Sequence, residues 1–370
     1  MIKVLHFVST PAIWSGVMSV IMNYYRHIDR SRVQFDFLCF LPCEESYEKE
    51  INELGGQVFF ISKPSASSRT LKELTAFFKR HQGEYQWLHN HEVYLSFLLK
   101  PISEYYGIKD FIVHSHATRY SDRKWAAVRN RILCFPIRFM KCHRFACSEA
   151  AGFFLFKECW INQHEFKIIP NAIAKKKFDF DEDLRNRYRK ELSLEKSFVI
   201  FHIGRFVHQK NHSFLLKIFS DIASTIPSAK LVLVGNGPSK ESVKQLAYDL
   251  GIIDKTIFLG QRKDVPALLQ AADLFVLPSI YEGLPISCLE AQAAGLPCLI
   301  SDMITDEVCL NKNVIRLPLN DTNIWLKECQ RYYTEFCKKG TIERNSHSQT
   351  VPDIIYEAVK LSHFYENVNS

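Results

Sequence analysis

The chain has 370 residues, 47% of them hydrophobic and 24% charged, with 14 Gly and 14 Pro; it is too long for one core and too apolar for long disorder. No apolar run approaches the ~18–20 residues that cross a bilayer, and eleven scattered cysteines without a Cys-x-x-Cys pair point to a reduced, cytoplasmic chain. The net charge is +7, and residues 1–170 carry 22 Lys+Arg against 16 Asp+Glu, which favours an anionic ligand or surface there; without a helix-turn-helix, RNP or zinc-finger pattern, nucleic acid is not an expected partner.

Met1–Ser9 reads as a first strand and not as a signal peptide, with Lys3–Val8 its apolar run. A loop with Ser15 and Gly16 follows, then helical apolar spacing over Val17–Tyr25. This opening is that of an α/β domain, and the lack of a G-x-G-x-x-G argues against dinucleotide binding. Gln34–Leu41 and Val58–Ile61 read as strands, Tyr47–Leu54 and Arg69–His81 as helices. Trp87–His91 and Phe111–His116 each close a strand on two histidines. The alternation predicts a parallel doubly wound sheet, whose ligands bind at the carboxyl ends of the strands.

His89, His91, His114 and His116 therefore stand at two strand ends. A metal ion needs three or four converging ligands with carboxylates or cysteines nearby, and only Glu92 is adjacent, so no metal is assigned. Hydrogen-bonded structural histidines are the other reading of the residues themselves. Arg119–Arg144 then carries eight Lys/Arg against the single acid Asp122, interleaved with Trp125, Ile132, Phe135 and Phe139, and Pro136 is expected to break it into two helices. Arg123, Lys124, Trp125, Arg129 and Arg131 are candidates for lying on an anionic membrane surface. A basic solvated face over an ordinary core stripe is the alternative.

Lys175–Lys190 reads as a linker and helix leading into a second sheet. The strand Phe198–Ile203 ends in Gly204-Arg205, with Lys210-Asn211 five residues on; two cations on such a strand-to-helix turn can clasp a diphosphate. Leu231–Val234 leads into Gly235-Asn236-Gly237, glycines that would let a nucleotide lie against the backbone. Cys298–Asp302 is expected to be the final parallel strand, and Asp321–Lys339 and Pro352–Glu366 read as helices separated by a polar stretch, Thr341–Thr350.

The most informative stretch follows the buried strand Leu274–Leu277 and runs from Pro278 to Pro297. Pro285 is placed at a first helical position, and Gly295 and Pro297 stop the helix. Glu282 then lies in the loop before a short helix and Glu290 on it, seven residues apart in between. The helix start, with Gly283 permitting close approach, is a ready phosphate site, and ionised carboxylates beside it suit sugar and ribose hydroxyls.

Glu282-Gly-Leu-Pro followed by Glu290-Ala-Gln-Ala-Ala-Gly-Leu-Pro resembles the donor-binding segment of family 4 glycosyltransferases, retaining enzymes of the GT-B fold. The resemblance implies an α/β protein of two Rossmann-like doubly wound parallel-sheet domains facing each other across a cleft. The first is expected at 1–172, with a terminal helix near 351–370 packing back on it, and the donor domain at 173–350. Gly204-Arg205…Lys210-Asn211 resembles the family's phosphate-binding element, which assigns Arg205 and Lys210 to the diphosphate, Glu282 to the sugar and Glu290 to the ribose. Gly16, Gly204, Gly235, Asn236, Arg262, Gly283, Leu284, Pro285 and Ile286 complete the implied donor site. The Val-His-Ser-His segment is similar to the one that places a histidine beside the transferred sugar; His116 is preferred over His114, on the expectation that the two face opposite ways. Ser15 stands where the family has a first glycine, and Ala174 where it has Asp after Ile169-Pro-Asn.

The implied reaction is retaining transfer of a sugar from a nucleoside diphosphate sugar, UDP-sugar favoured, to a hydroxyl acceptor, without cofactor or metal. The implied acceptor is a polyprenyl-diphosphate-linked glycan of a capsule or exopolysaccharide, which puts the enzyme at the inner face of the cell membrane as a peripheral protein. The alternatives are a soluble transferase with a small acceptor, an inverting relative, or a catalytically idle nucleotide-sugar-binding subunit of an assembly complex.

Overall fold

The computed structural model describes residues 1–65, 68–157, 166–344 and 350–367. The chain divides into two compact units, Met1–Ala172 with Asp353–Ser370, and Ile173–Pro352.

The first unit is built on strands β1 (Ile2–Phe7), β2 (Val33–Cys39), β3 (Val58–Phe60), β4 (Trp87–Asn90), β5 (Asp110–Ser115), β6 (His143–Ala146) and β7 (Lys167–Ile168). They lie parallel in the order β3-β2-β1-β4-β5-β6-β7. Between them run helices α1 (Gly16–His27), α2 (Glu48–Glu53), α3 (Ser68–Arg80), α4 (Ser96–Tyr105), α5 (Lys124–Cys134) and α6 (Glu149–Gly152). Helices on both faces bury the central strands, and β2 is buried at every position even at its polar residues Gln34 and Asp36. Ser15 is the N-cap of α1, its Oγ accepting from the Met18 amide; the residue found where a glycine was expected therefore starts the helix.

The second unit holds β8 (Phe198–Ile203), β9 (Ala229–Val234), β10 (Thr256–Gly260), β11 (Leu274–Leu277), β12 (Cys298–Ser301) and β13 (Val314–Leu317), parallel in the order β10-β9-β8-β11-β12-β13. Its helices are α7 (Glu182–Glu191), α8 (His212–Thr225), α9 (Lys240–Asp249), α10 (Val265–Ala271), α11 (Ile286–Ala293) and α12 (Thr322–Lys339). The expected final strand, β12, is followed by β13; its Arg316 is exposed on the sheet edge, which weakened the apolar signal. Asp273, buried before β11, accepts from Arg185 at 2.5 Å and Arg189 at 3.1 Å and from the Val199 amide, tying α7 to the sheet. Residues 345–349 of the polar stretch lie outside the described residues.

The last helix, α13 (Ile354–Asn367), belongs to the first unit. Tyr365 is fully buried there: its hydroxyl bonds His89 Nδ1 at 2.7 Å, and its carbonyl accepts from Trp87 Nε1 at 3.2 Å.

Candidate active site

In a sheet ordered 3-2-1-4, connections leave β1 and β4 in opposite directions, and the crevice between their carboxyl ends is where ligands bind. In the second unit that point lies between β8 and β11. The loop after β8 carries Gly204–Asn211 and the loop after β11 carries Pro278–Pro285, so the two candidate phosphate-binding motifs flank one crevice.

They are bonded to each other there. The Ile280 amide donates to the Gln209 carbonyl at 2.8 Å, and Gln209 Nε2 donates to the Tyr281 carbonyl at 3.0 Å and to Glu282 Oε2 at 3.1 Å. Lys210 Nζ meets Glu282 Oε1 at 2.7 Å, with side chains only 15% and 9% exposed. Arg205 is half-buried in the same loop, and burial holds its guanidinium below the usual arginine pKa. Gln209 was not singled out in the sequence; its position beside Lys210 was the available signal.

Helix α11 begins one residue later than expected, at Ile286, because Pro285 takes the extended N-cap conformation (φ −69°, ψ 114°). Its leading amides, those of Ile286 and Ser287, have no acceptor one turn back within the helix and head the anion site. The other end is a Schellman cap: Gly295, at φ 73°, donates to the Gln292 carbonyl and Leu296 to that of Ala291. Glu290 is partly buried on this helix, and burial pushes its carboxyl up to about 8, so in the free protein it is mostly protonated at neutral pH. Burial therefore works against the expected ionised form of Glu290, which among the described residues has no cation like the one Glu282 has.

The β9 glycines have a packing role as well. A Cβ on Gly235 would stand 2.1 Å from the Gly204 carbonyl oxygen, and one on Gly237 2.5 Å from that of Phe206. The space is filled by the Arg205 loop itself: the Gly204 amide donates to the Val234 carbonyl and the Phe206 amide to that of Asn236. Gly235 and Asn236 thus hold the phosphate-binding loop in place. Arg262 forms a fork with Asp264 at 2.8 and 2.5 Å, and Tyr188 donates to the same carboxylate. His202 donates from Nδ1 to the Val276 carbonyl, leaving Nε2 as a buried lone pair close to Gly204 and the Lys210 stem.

In the first unit the corresponding switch lies between β1 and β4. Glu92 Oε1 accepts there from the Ser9 amide at 3.0 Å, and burial raises its pKa. Gly16 opens α1, with nothing within 4 Å of where a Cβ would stand. Ala174, in the second unit, opens a short turn at Lys175–Phe178.

His116 and His114 do not point opposite ways. Residues two apart on a strand share a face, and the rings lie side by side with centroids 4.0 Å apart. His6 from β1, which the sequence reading passed over, joins His89 and His91 on the same face. Five imidazoles form one layer, linked His6–His91 at 3.0 Å, His91–His116 at 2.8 Å and His89–His114 at 3.0 Å. Burial lowers the pKa of each ring, to about 3 at His116, so all five are neutral at physiological pH.

The basic segment folds as α5 followed by a 3-10 turn, Phe135–Phe139, with Pro136 at its start. Only Asn130, Cys134 and Ile137 face inward, while Trp125 is 88% and Phe139 75% exposed, with Val128, Ile132 and Phe135 between them. The apolar stripe read as possible core is therefore on the surface. Arg123, Lys124, Arg129 and Arg131 are exposed around it.

Two units, each a parallel α/β sheet with its loops gathered at a switch point, are the architecture that GT-B glycosyltransferases share. The profile of the family described as "Glycosyl transferases group 1" matches residues 185–314, which span the Lys210 and Glu282 loops. A Bacillus subtilis (strain 168) protein named "Putative glycosyltransferase EpsF" is 30% identical over 359 residues, 93% of this chain and 90% of the relative, and the chain belongs to this family of glycosyltransferases. The UDP-Gal:alpha-D-GlcNAc-diphosphoundecaprenol alpha-1,3-galactosyltransferase of Escherichia coli is 26% identical over 343 residues, 89% of this chain and 87% of that one. Among solved structures, Anabaena Alr3699/HepE in complex with UDP and glucose superposes with a TM-score of 0.83 at 16% identity, over 100% of both chains. WaaG, a glycosyltransferase involved in lipopolysaccharide biosynthesis, gives 0.74 at 14% identity, over 98% of this chain and 100% of that one. No described helix is long and apolar enough to cross a membrane.

Proposed function

We propose that the protein transfers a sugar from a UDP-sugar to a hydroxyl of a polyprenyl-diphosphate-linked glycan, with retention at the anomeric carbon, during assembly of a capsule or exopolysaccharide. The observation that carries this reading is the meeting of Lys210 and Glu282 at the β8–β11 switch point, beside the first amides of α11. The E. coli relative, named for a UDP-galactose donor and a diphosphoundecaprenol-linked acceptor, supports the donor and acceptor classes.

The hard step is departure of the nucleoside diphosphate, whose oxygens gain negative charge as the C1–O bond breaks. Lys210 and Arg205 would take that charge together with the amides of Ile286 and Ser287, and this fixed positive set does the work a divalent ion does in other transferases. Lys210 then exchanges Glu282 for the diphosphate, freeing the carboxylate to accept from sugar hydroxyls while the anomeric centre becomes oxocarbenium-like. Gln209 keeps Glu282 aimed during the exchange. The acceptor oxygen bonds C1 from the face the diphosphate leaves, and its proton passes to the departing diphosphate oxygen. Glu290 would take the ribose hydroxyls, and His116 the sugar side of the first unit. Gly16, Gly283, Leu284 and Arg262 remain in the proposed donor site. The exposed Trp125–Phe139 stripe with its arginines supports work as a peripheral protein on the anionic inner face of the membrane, where a polyprenyl acceptor resides.

The test is transfer from radiolabelled UDP-sugars to a synthetic polyprenyl-diphosphate acceptor, with the anomeric configuration of the product read by NMR. Retained configuration, and loss of about 10²–10³ in turnover for Lys210→Ala and for Glu282→Ala, are expected. An inverted product, or full turnover in Glu282→Ala, overturns the reading.

A further inference from the structure

We propose that the histidine layer of the first unit is a binding site for one divalent transition-metal ion of the Zn²⁺ type, held by His91, His114 and His116. This site is separate from the diphosphate site and stands whether or not the proposed transfer reaction is correct.

Three adjacent parallel strands place His6, His89, His91, His114 and His116 on one face, and beside them, walled also by Val20, Ile21, Tyr24, Phe35, Ile169 and Leu361, lies a cavity of about 20 Å³. That is room for one water-sized guest. One ring nitrogen from each of His91, His114 and His116 lies within 4.8 Å of the other two. In a tetrahedral site, zinc–nitrogen bonds of ~2.0–2.1 Å hold neighbouring ligand nitrogens roughly 3.4 Å apart, so the His91–His116 pair, now at 2.8 Å, would open slightly to admit the ion while the His114 nitrogen draws in.

The hydrogen bonds decide which nitrogens are available. His91 Nε2 is taken by His6 and His114 Nδ1 by His89. That leaves His91 Nδ1 and His116 Nε2, now sharing one proton at 2.8 Å, and His114 Nε2, which is buried and has no partner. A layer of neutral imidazoles cannot satisfy all of these. Each ring has one N–H and one lone pair, and whichever way the protons are placed, His114 Nε2 ends as a buried donor without an acceptor or a lone pair without a donor. With His114 protonated on Nδ1 and donating to His89, the Nε2 lone pair faces the group, and a metal ion would satisfy it.

The surrounding shell fits the same role. A ligating histidine ordinarily has its second nitrogen held by another group, which fixes the tautomer and ring orientation. Here His6 stands behind His91, and His89 behind His114, with the Tyr365 hydroxyl at 2.7 Å behind His89. Burial keeps every ring neutral, the form in which imidazole binds metal. His116 is partly exposed at the edge of the layer and gives the ion a way in. Three neutral nitrogens suit a borderline ion such as Zn²⁺, Co²⁺ or Ni²⁺ better than Mg²⁺ or Ca²⁺, which want oxygen. Such an ion would staple β4 to β5 and fix the His116 ring.

Untagged, chelator-treated protein is loaded with Zn²⁺ or Co²⁺, desalted, and measured by elemental analysis and visible absorption. About one ion per chain is expected, with Co²⁺ d–d bands of a nitrogen-ligated site. Both should be lost in His91→Gln and His114→Gln, and kept in the exposed-surface control His363→Ala. His6→Phe should weaken retention about 10–100-fold, as removal of a supporting group does. Unchanged metal content in folded His114→Gln, or no retention by the wild-type chain, overturns the proposal and leaves a hydrogen-bonded imidazole relay. Should a glutamine variant fail to fold, histidine ¹⁵N spectra of the wild-type protein decide: Zn²⁺ must shift the buried imidazole nitrogens, and shifts confined to surface histidines refute the site.

Discussion

The Lys210–Glu282 pair can be weighed directly. Its atoms are 2.7 Å apart and both side chains are mostly buried, so the charges sit in a medium of effective dielectric near 20 and attract by about 6 kcal/mol before desolvation is subtracted. A hydrogen bond to a charged group nets about 1.5–3 kcal/mol, which sets the expected coupling at about 2 kcal/mol. Lys210→Ala leaves Glu282 hydrogen-bonded to Gln209 without its cation and should destabilise the second unit more than Glu282→Gln, which keeps an acceptor for that contact. The double mutant should lie about 2 kcal/mol short of the sum of the singles. Because two units make global unfolding non-two-state, the readout is hydrogen exchange of β8 and β11 amides followed by mass spectrometry. Saturating UDP should erase most of the coupling, since Lys210 then binds phosphate in place of Glu282. A coupling below about 0.5 kcal/mol without ligand, or one that UDP leaves intact, would refute the exchange of partners.

Four further outcomes are expected. Gly235→Ala forces a Cβ to 2.1 Å from the Gly204 carbonyl at φ +139° and should cost about 2 kcal/mol or more together with UDP affinity, whereas Gly16→Ala, with open space at its Cβ, should stay within about 1 kcal/mol of wild type; thermal melts with and without UDP separate them. With the Glu290 pKa raised from 4.5 to about 8, the folded chain keeps a proton the unfolded chain has lost, so stability falls as pH rises from about 4.5 to about 8, by up to about 1.4 kcal/mol per unit, and levels off above; Glu290→Gln should remove this slope in denaturant titrations. If ribose hydroxyls favour the ionised form, UDP binding near pH 7 should release a proton, seen by calorimetry in buffers of different ionisation heat. Trp125→Ser with Phe139→Ser should weaken binding to phosphatidylglycerol vesicles by about tenfold or more, and equal sedimentation of variant and wild type would sink the membrane reading.

The sequence by itself determined the class of the two sheets, most strand positions and the loops that carry the candidate donor residues. Those follow from local rules: buried parallel strands are uniformly apolar, a cap such as Asp321 precedes its helix, and Glu282 and Lys210 sit at fixed offsets from glycine turns. Only the tertiary structure decided three matters. It brought Gln209 and Lys210 onto Glu282 across 72 residues of chain, and it packed Gly235 against the Gly204 loop. It buried Glu290 and thereby raised its pKa. It also gathered His6 from β1 with histidines from β4 and β5, while turning the Trp125–Phe139 stripe outward. Charge state, orphaned lone pairs and exposed apolar surface depend on which distant segments pack together, and neighbours in sequence carry no record of that.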